Sequence, residues 1–321
     1  RTDFSAARNR ANLASAIGNL GILADNRGDL DRAIVLYGEA LRLYLEEGER
    51  AGESAVYSNL AVIDRRRGRL DQAAEHQLRA ATLQQRIGLD QMRVFSENHL
   101  GTIDRLRGRF AEAATHLATA LEISQSNQDS LGIADATLGR AWLDFDLGAQ
   151  ASAEAGARDA IALFERMQHP VSEAAARSLL AEIVLDHDRE QARLQLQRVE
   201  SIATASDDQG VRVLAHVLAA RIDPDALPAA ISLVQTVSDP VAAAEVAWLQ
   251  ARHSGDAADW QRALELARAT GVPRSEARIA EDRIARLGER LTEPERAELQ
   301  SRIMRWRGSV TEREASERPE S

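Results

Sequence analysis

Three pairs of arginines recur at one interval in this chain: Arg65 and Arg105, Arg67 and Arg107, and Arg69 and Arg109 are each 40 residues apart, with Arg66 beside the first pair. A guanidinium is a planar fork of donors that fits a carboxylate or a phosphate at two points, so such a stripe suits an acidic or phosphorylated partner. The competing reading is internal. Asp64, Asp71, Glu75, Asp104 and Glu112 lie among the arginines, and surface ion pairs of this kind are common and individually weak. The neutralised stripe is the favoured reading, and Asp64, Asp104 and Asp144, which repeat at the same interval, are expected to pair with Arg across neighbouring units. His76 and His116 repeat too, but adjacent helices lie about 8–10 Å apart and zinc needs every ligand near roughly 2 Å. With no third ligand apparent, a metal site is rejected.

Composition removes other chemistry. All 40 basic residues are Arg, so lysine Schiff bases and a phosphate-binding loop ending in Gly-Lys-Ser/Thr are excluded. Without Cys there is no disulfide, thiol nucleophile or thiolate metal site, which fits a cytoplasmic protein. No H-E-x-x-H, G-x-S-x-G or G-x-G-x-x-G pattern occurs, so catalysis has no visible seat and no cofactor is expected. The formal charge of −10 disfavours nucleic acid and anionic membranes as partners. No apolar run approaches the roughly 18 residues of a membrane span.

The residues that could do chemistry must be positioned by something, and the same interval says what. Gly28, Gly68, Gly108 and Gly148 are 40 residues apart. Before each lies a stretch with apolar residues at helical spacing, such as Tyr57, Leu60 and Ile63; after each lies a second, such as Phe110, Ala113, Leu117 and Leu121. Each unit is therefore a helical hairpin, turned at a glycine that can adopt a left-handed cap. Gly21, Ala61 and Gly101, with Ala33, Ala73 and Ala113, are expected where two helix backbones approach closely. The fold class is all-α, an α-solenoid of stacked antiparallel hairpins.

Asn19-Leu20-Gly21, Gly28, Ala33, Tyr37 and Ala40-Leu41 resemble the tetratricopeptide repeat, and the match recurs at Asn59-Leu60-Ala61 and at Leu100-Gly101. The longer period resembles kinesin light chains and, more closely, the sensor regions of bacterial multidomain signalling regulators. The resemblance implies a right-handed superhelix whose first helices line an inner groove that grips peptides. There the Asn before the Leu-Gly pair holds an extended peptide backbone, which points to Asn19, Asn59 and His99, with Asn98 adjacent. The same face carries Ile22, Val62, Arg65, Arg66, Thr102, Arg105, Trp142 and Phe145, with Trp142 either an anchor wall or core filling. A carboxylate clamp is not supported, because Gly18 and Ile22 stand where the first hairpin would supply its basic and amide groups.

Residues 1–170 are expected to hold four regular repeats and 171–307 degenerate hairpins with a closing helix, begun by a capping box at Thr292–Glu295. All seven Pro fall at or after Pro170, and 308–321 has too little to bury and is expected to be disordered. The expected function is a non-catalytic module that binds a peptide, a protein segment or another domain of its own polypeptide. Arg at position 1 suggests a segment of a larger regulator, and the alternative is an autoinhibitory segment controlling an attached ATPase, kinase or DNA-binding domain.

Overall fold

The computed structural model describes residues 2–316 except Asp207 and Ser238. Among these, every regular element is helical. The helices pair as hairpins: α1 (Thr2–Asn26) with α2 (Leu30–Glu47), α3 (Arg50–Arg66) with α4 (Leu70–Ile87), α5 (Asp90–Leu106) with α6 (Phe110–Ser126), and α7 (Ser130–Asp146) with α8 (Gln150–Met167). The series continues with α9 (Pro170–Val184) and α10 (Arg189–Ala205), α11 (Gln209–Ile222) and α12 (Leu227–Thr236), α13 (Pro240–Ser254) and α14 (Ala257–Thr270), and α15 (Pro273–Leu287) and α16 (Glu293–Ser316). The hairpins stack side by side into an α-solenoid.

The regular half is punctuated every 20 residues. At the hairpin turns, Gly28, Gly68, Gly108 and Gly148 have φ between 72 and 79°. Each turn is a paired helix-ending motif: the Gly68 N–H donates to the Arg65 carbonyl at 3.0 Å and the Arg69 N–H to the Asp64 carbonyl at 2.8 Å. Between hairpins, the same left-handed cap falls at Gly48, Gly88, Gln128 and Gln168. This second series is half hidden in the sequence because glutamine occupies two of its four positions.

Ala33, Ala73, Ala113 and Ala153 are fully buried where paired helices cross. Gly21 serves a different purpose from the close backbone approach expected of it. A Cβ there would lie 2.6 Å from the Tyr37 ring, so the glycine clears room for a bulky side chain of the second helix. In the second half, proline opens α9, α13 and α15, where its missing N–H costs nothing. The capping box at the start of α16 is formed: the Thr292 N–H donates to Glu295 Oε2 at 2.9 Å, and the Glu295 N–H faces Thr292 Oγ1 at 3.4 Å.

Two features depart from expectation. Helix α16 runs on to Ser316, through residues expected to be a disordered tail, and the Glu, Arg and Ala of that stretch are good helix formers; residues 317–321 lie outside those described. The larger departure is that the solenoid comes full circle. The turn at Gly68 meets the Thr270 backbone so closely that a Cβ would stand 2.6 Å from its carbonyl oxygen. Trp306 of α16 packs edge-on to Phe110 of α6, their ring centroids 6.4 Å apart. Ion pairs complete the seam: Arg274 to Asp146 at 2.6 Å and Arg278 to Glu182 at 3.1 Å.

Candidate functional site

Closure brings first helices from both halves of the chain around one central cavity of about 370 Å³, a size typical of ligand pockets. One wall carries Arg65 and Arg66 of α3, Thr102 and Arg105 of α5 and Trp142 of α7. The other carries Arg221 of α11, Glu245 and Trp248 of α13, and Arg274 and Arg278 of α15, with Glu182 of α9 between them. Valines and leucines of α11 fill the spaces between the polar groups. Arg66, Gly210, Val213 and Asp239 also border a second hollow of about 690 Å³ that reaches Asp25 and Asn26 at the end of α1.

The buried charges form a shared lattice. Asp146 accepts from Arg105 and Arg274, each at 2.6 Å. Glu182 lies 2.6 Å from Arg221, 3.1 Å from Arg278 and 3.8 Å from Arg274. Glu245 takes Arg221 at 2.5 Å and Arg278 at 3.9 Å. Burial works against the Glu182 carboxylate, but Arg221, Arg278 and Arg274 outweigh it and hold its pKa well below the usual range. Aromatic faces brace the same cations: Arg105 stands 5.1 Å from the Trp142 ring, Arg274 5.1 Å from Phe145 and Arg278 4.1 Å from Trp248.

Arg65 stands apart from this lattice. No described carboxylate lies within salt-bridge distance of it. Burial depresses its pKa, the more distant Asp239 offsets part of that, and Arg66 and Arg105 push the same way as burial. Burial, with the charge of Arg65, also pushes His99 down to about 4, so the imidazole is neutral at pH 7.

Of the residues expected on the inner face, the structure brings Arg65, Arg66, Thr102, Arg105 and Trp142 onto the cavity. Phe145 supports the lattice from behind Arg274, and Trp142 meets it edge-on at 6.2 Å. Asn59 and Val62 are partly buried on α3, while Asn19 and Ile22 are exposed on α1, outside the cavity lining. Asn98 is buried, with neither amide atom partnered among the described residues. The arginine stripe divides: Arg66 pairs with Asp25, Arg67 with Asp31 at 2.6 Å and Arg107 with Asp71 at 2.6 Å. The repeated aspartates do not make the pairs across units expected of them. Asp64 bonds His76 at 2.9 Å, Asp104 bonds Arg107 at 3.0 Å and Asp144 accepts from Ser152, each within its own hairpin. His116 Nδ1 lies 2.7 Å from Glu97, again within one hairpin.

The far wall escapes a reading of the sequence. Its one signal is charge inside apolar helices: Glu182 in Leu179-Leu180-Ala181-Glu182-Ile183-Val184, and Glu245 in Ala242-Ala243-Ala244-Glu245-Val246.

Fold and site together define a helical-repeat solenoid wrapped around a polar, aromatic cavity. Residues 11–86 match the tetratricopeptide repeat family, so the first two hairpins are tetratricopeptide repeats. Solved structures share the architecture over nearly the whole chain. The Rap conjugation gene regulator of plasmid pLS20, in complex with the Phr* peptide, is similar with a TM-score of 0.60 at 11% identity, covering 94% of this chain and 75% of that one. The apo form of RapI is similar with a TM-score of 0.54 at 13% identity, covering 93% and 99%. A Rap protein complexed with competence and sporulation factor gives 0.54 at 15%, covering 92% and 75%. No curated protein is similar to the chain in sequence. No helix among the described residues is long and apolar enough to cross a membrane.

Proposed function

We propose that the chain is a non-catalytic, protein-binding module that holds a peptide or an extended protein segment in the central cavity. One observation carries this reading: first helices from hairpins far apart in sequence enclose a single cavity that presents guanidiniums and two tryptophans together. That combination supplies an aromatic anchor and charge-assisted hydrogen bonds, the groups that dominate binding hot spots. The adjoining hollow extends the path to the rim, giving an elongated ligand a way out. Support comes also from the fold, since one similar structure is a conjugation gene regulator holding the Phr* peptide and another is complexed with competence and sporulation factor. A signalling role in the cytoplasm, as part of a larger bacterial regulator, is proposed on the same basis.

The test is selection of a phage-displayed random octapeptide library on the immobilised chain, in parallel with a Trp142→Ala, Thr102→Val variant. The wild type is expected to enrich a common motif that the variant loses at unchanged helicity. Enrichment of the same motif by both, or of none by either, overturns the cavity as the binding site.

A further inference from the structure

We propose that Arg65, with Arg105 and Thr102 beside it, forms a subsite for one anionic group of the bound peptide, a carboxylate or a phosphate. This rests on the peptide-binding reading above and specifies what the ligand must carry.

Three observations carry it. The first is pairing: every other arginine on the cavity wall has a carboxylate within salt-bridge distance, whereas Arg65 has none among the described residues. Arg65 lines the cavity and is only partly exposed, so its charge is less freely solvated than one at the open surface. The second is balance. Six guanidiniums line the cavity, and Asp25, Asp146, Glu182 and Glu245 lie within salt-bridge distance of five of them, while Asp239 acts on Arg65 only from farther away. The sixth is Arg65. The third is surroundings. Arg105 is held between Asp146 and the Trp142 face, so it cannot swing away, and Thr102 lies on the same wall with its hydroxyl donating to the Asn98 carbonyl at 3.1 Å. An incoming anion would therefore meet a partly buried fork with no carboxylate of the described residues on it, beside the held guanidinium of Arg105.

The experiment uses the full chain and four acetylated, amidated heptapeptide mixtures whose central position is fixed as Glu, phosphoserine, Gln or Arg, the rest being randomised. Calorimetric titration should show the Glu or the phosphoserine mixture binding about tenfold tighter than the Gln mixture, and the tighter of the two identifies the anion. Arg65→Gln should abolish that preference, bringing the Glu and phosphoserine mixtures to the affinity of the Gln mixture, and Arg65→Lys should retain part of it. In the absence of peptide, Arg65→Gln should leave Tm unchanged or raise it by a few degrees, because it removes an unpaired cation. Equal binding of all four mixtures by the wild type overturns the subsite and leaves the peptide cavity standing. Failure of every mixture to bind overturns both. A clear fall in Tm for Arg65→Gln overturns the subsite by assigning the arginine a structural role.

Discussion

His99 is neutral beside the Arg65 guanidinium, with its folded pKa near 4 against an ordinary value of 6.5. Between those values the unfolded chain binds a proton that the native chain refuses, so this histidine withdraws stability as pH falls through that window, on the order of 2 kcal/mol. Asp135 works in the opposite sense: burial and then Asp129 raise it to about 6, so below that pH the native state holds a proton the unfolded state has released. The cleanest measurement is thus a difference. Urea unfolding of wild type and His99→Gln at pH 7 and pH 4.5 should show the variant losing less stability on acidification. Residues of the near wall are legible because Arg65, Arg105 and their neighbours recur at the repeat interval, which places them on one face. Arg221, Arg274 and Arg278 are not, because pairing across the seam joins residues as much as 128 positions apart in sequence, as Arg274 and Asp146 are, and leaves no local pattern.

At the scale of the element, the four turn glycines look equivalent in sequence but stand in different surroundings. Gly148 has φ of +79° and no neighbouring atom within 4 Å of where a Cβ would stand, whereas Gly68, at +72°, abuts the Thr270 backbone. Gly148→Ala should therefore cost only the left-handed conformation, about 1 kcal/mol, and keep the ring intact. Gly68→Ala should cost at least twice that, because backbone cannot give way as a flexible side chain can. Thermal unfolding would rank the two, and small-angle scattering would show a larger radius of gyration for Gly68→Ala alone. Helix positions in the first half are legible from period and punctuation together. The caps at Gln128 and Gln168 escape because a left-handed residue that is not glycine carries no mark in the sequence.

The whole molecule is a stack in which each hairpin touches chiefly its neighbours, yet its two halves also meet. Stacks of the first kind gain or lose units with little consequence beyond the local interface. Here, excising one hairpin from between α9 and α15, α11 with α12 (residues 209–236), should leave the remaining hairpins folded, with helicity per residue unchanged. It should still open the molecule, since Arg274 and Arg278 would no longer arrive opposite Asp146 and Glu182. Faster proteolysis around Pro273 would report the opening, and unaltered cleavage there would refute it. The meeting of α15 with α7 and α9 thus acts as a count of copies. Duplication, the easy route by which repetitive genes lengthen, would strand those arginines over empty space. Selection for this contact would hold the number of units fixed even while their individual letters drift.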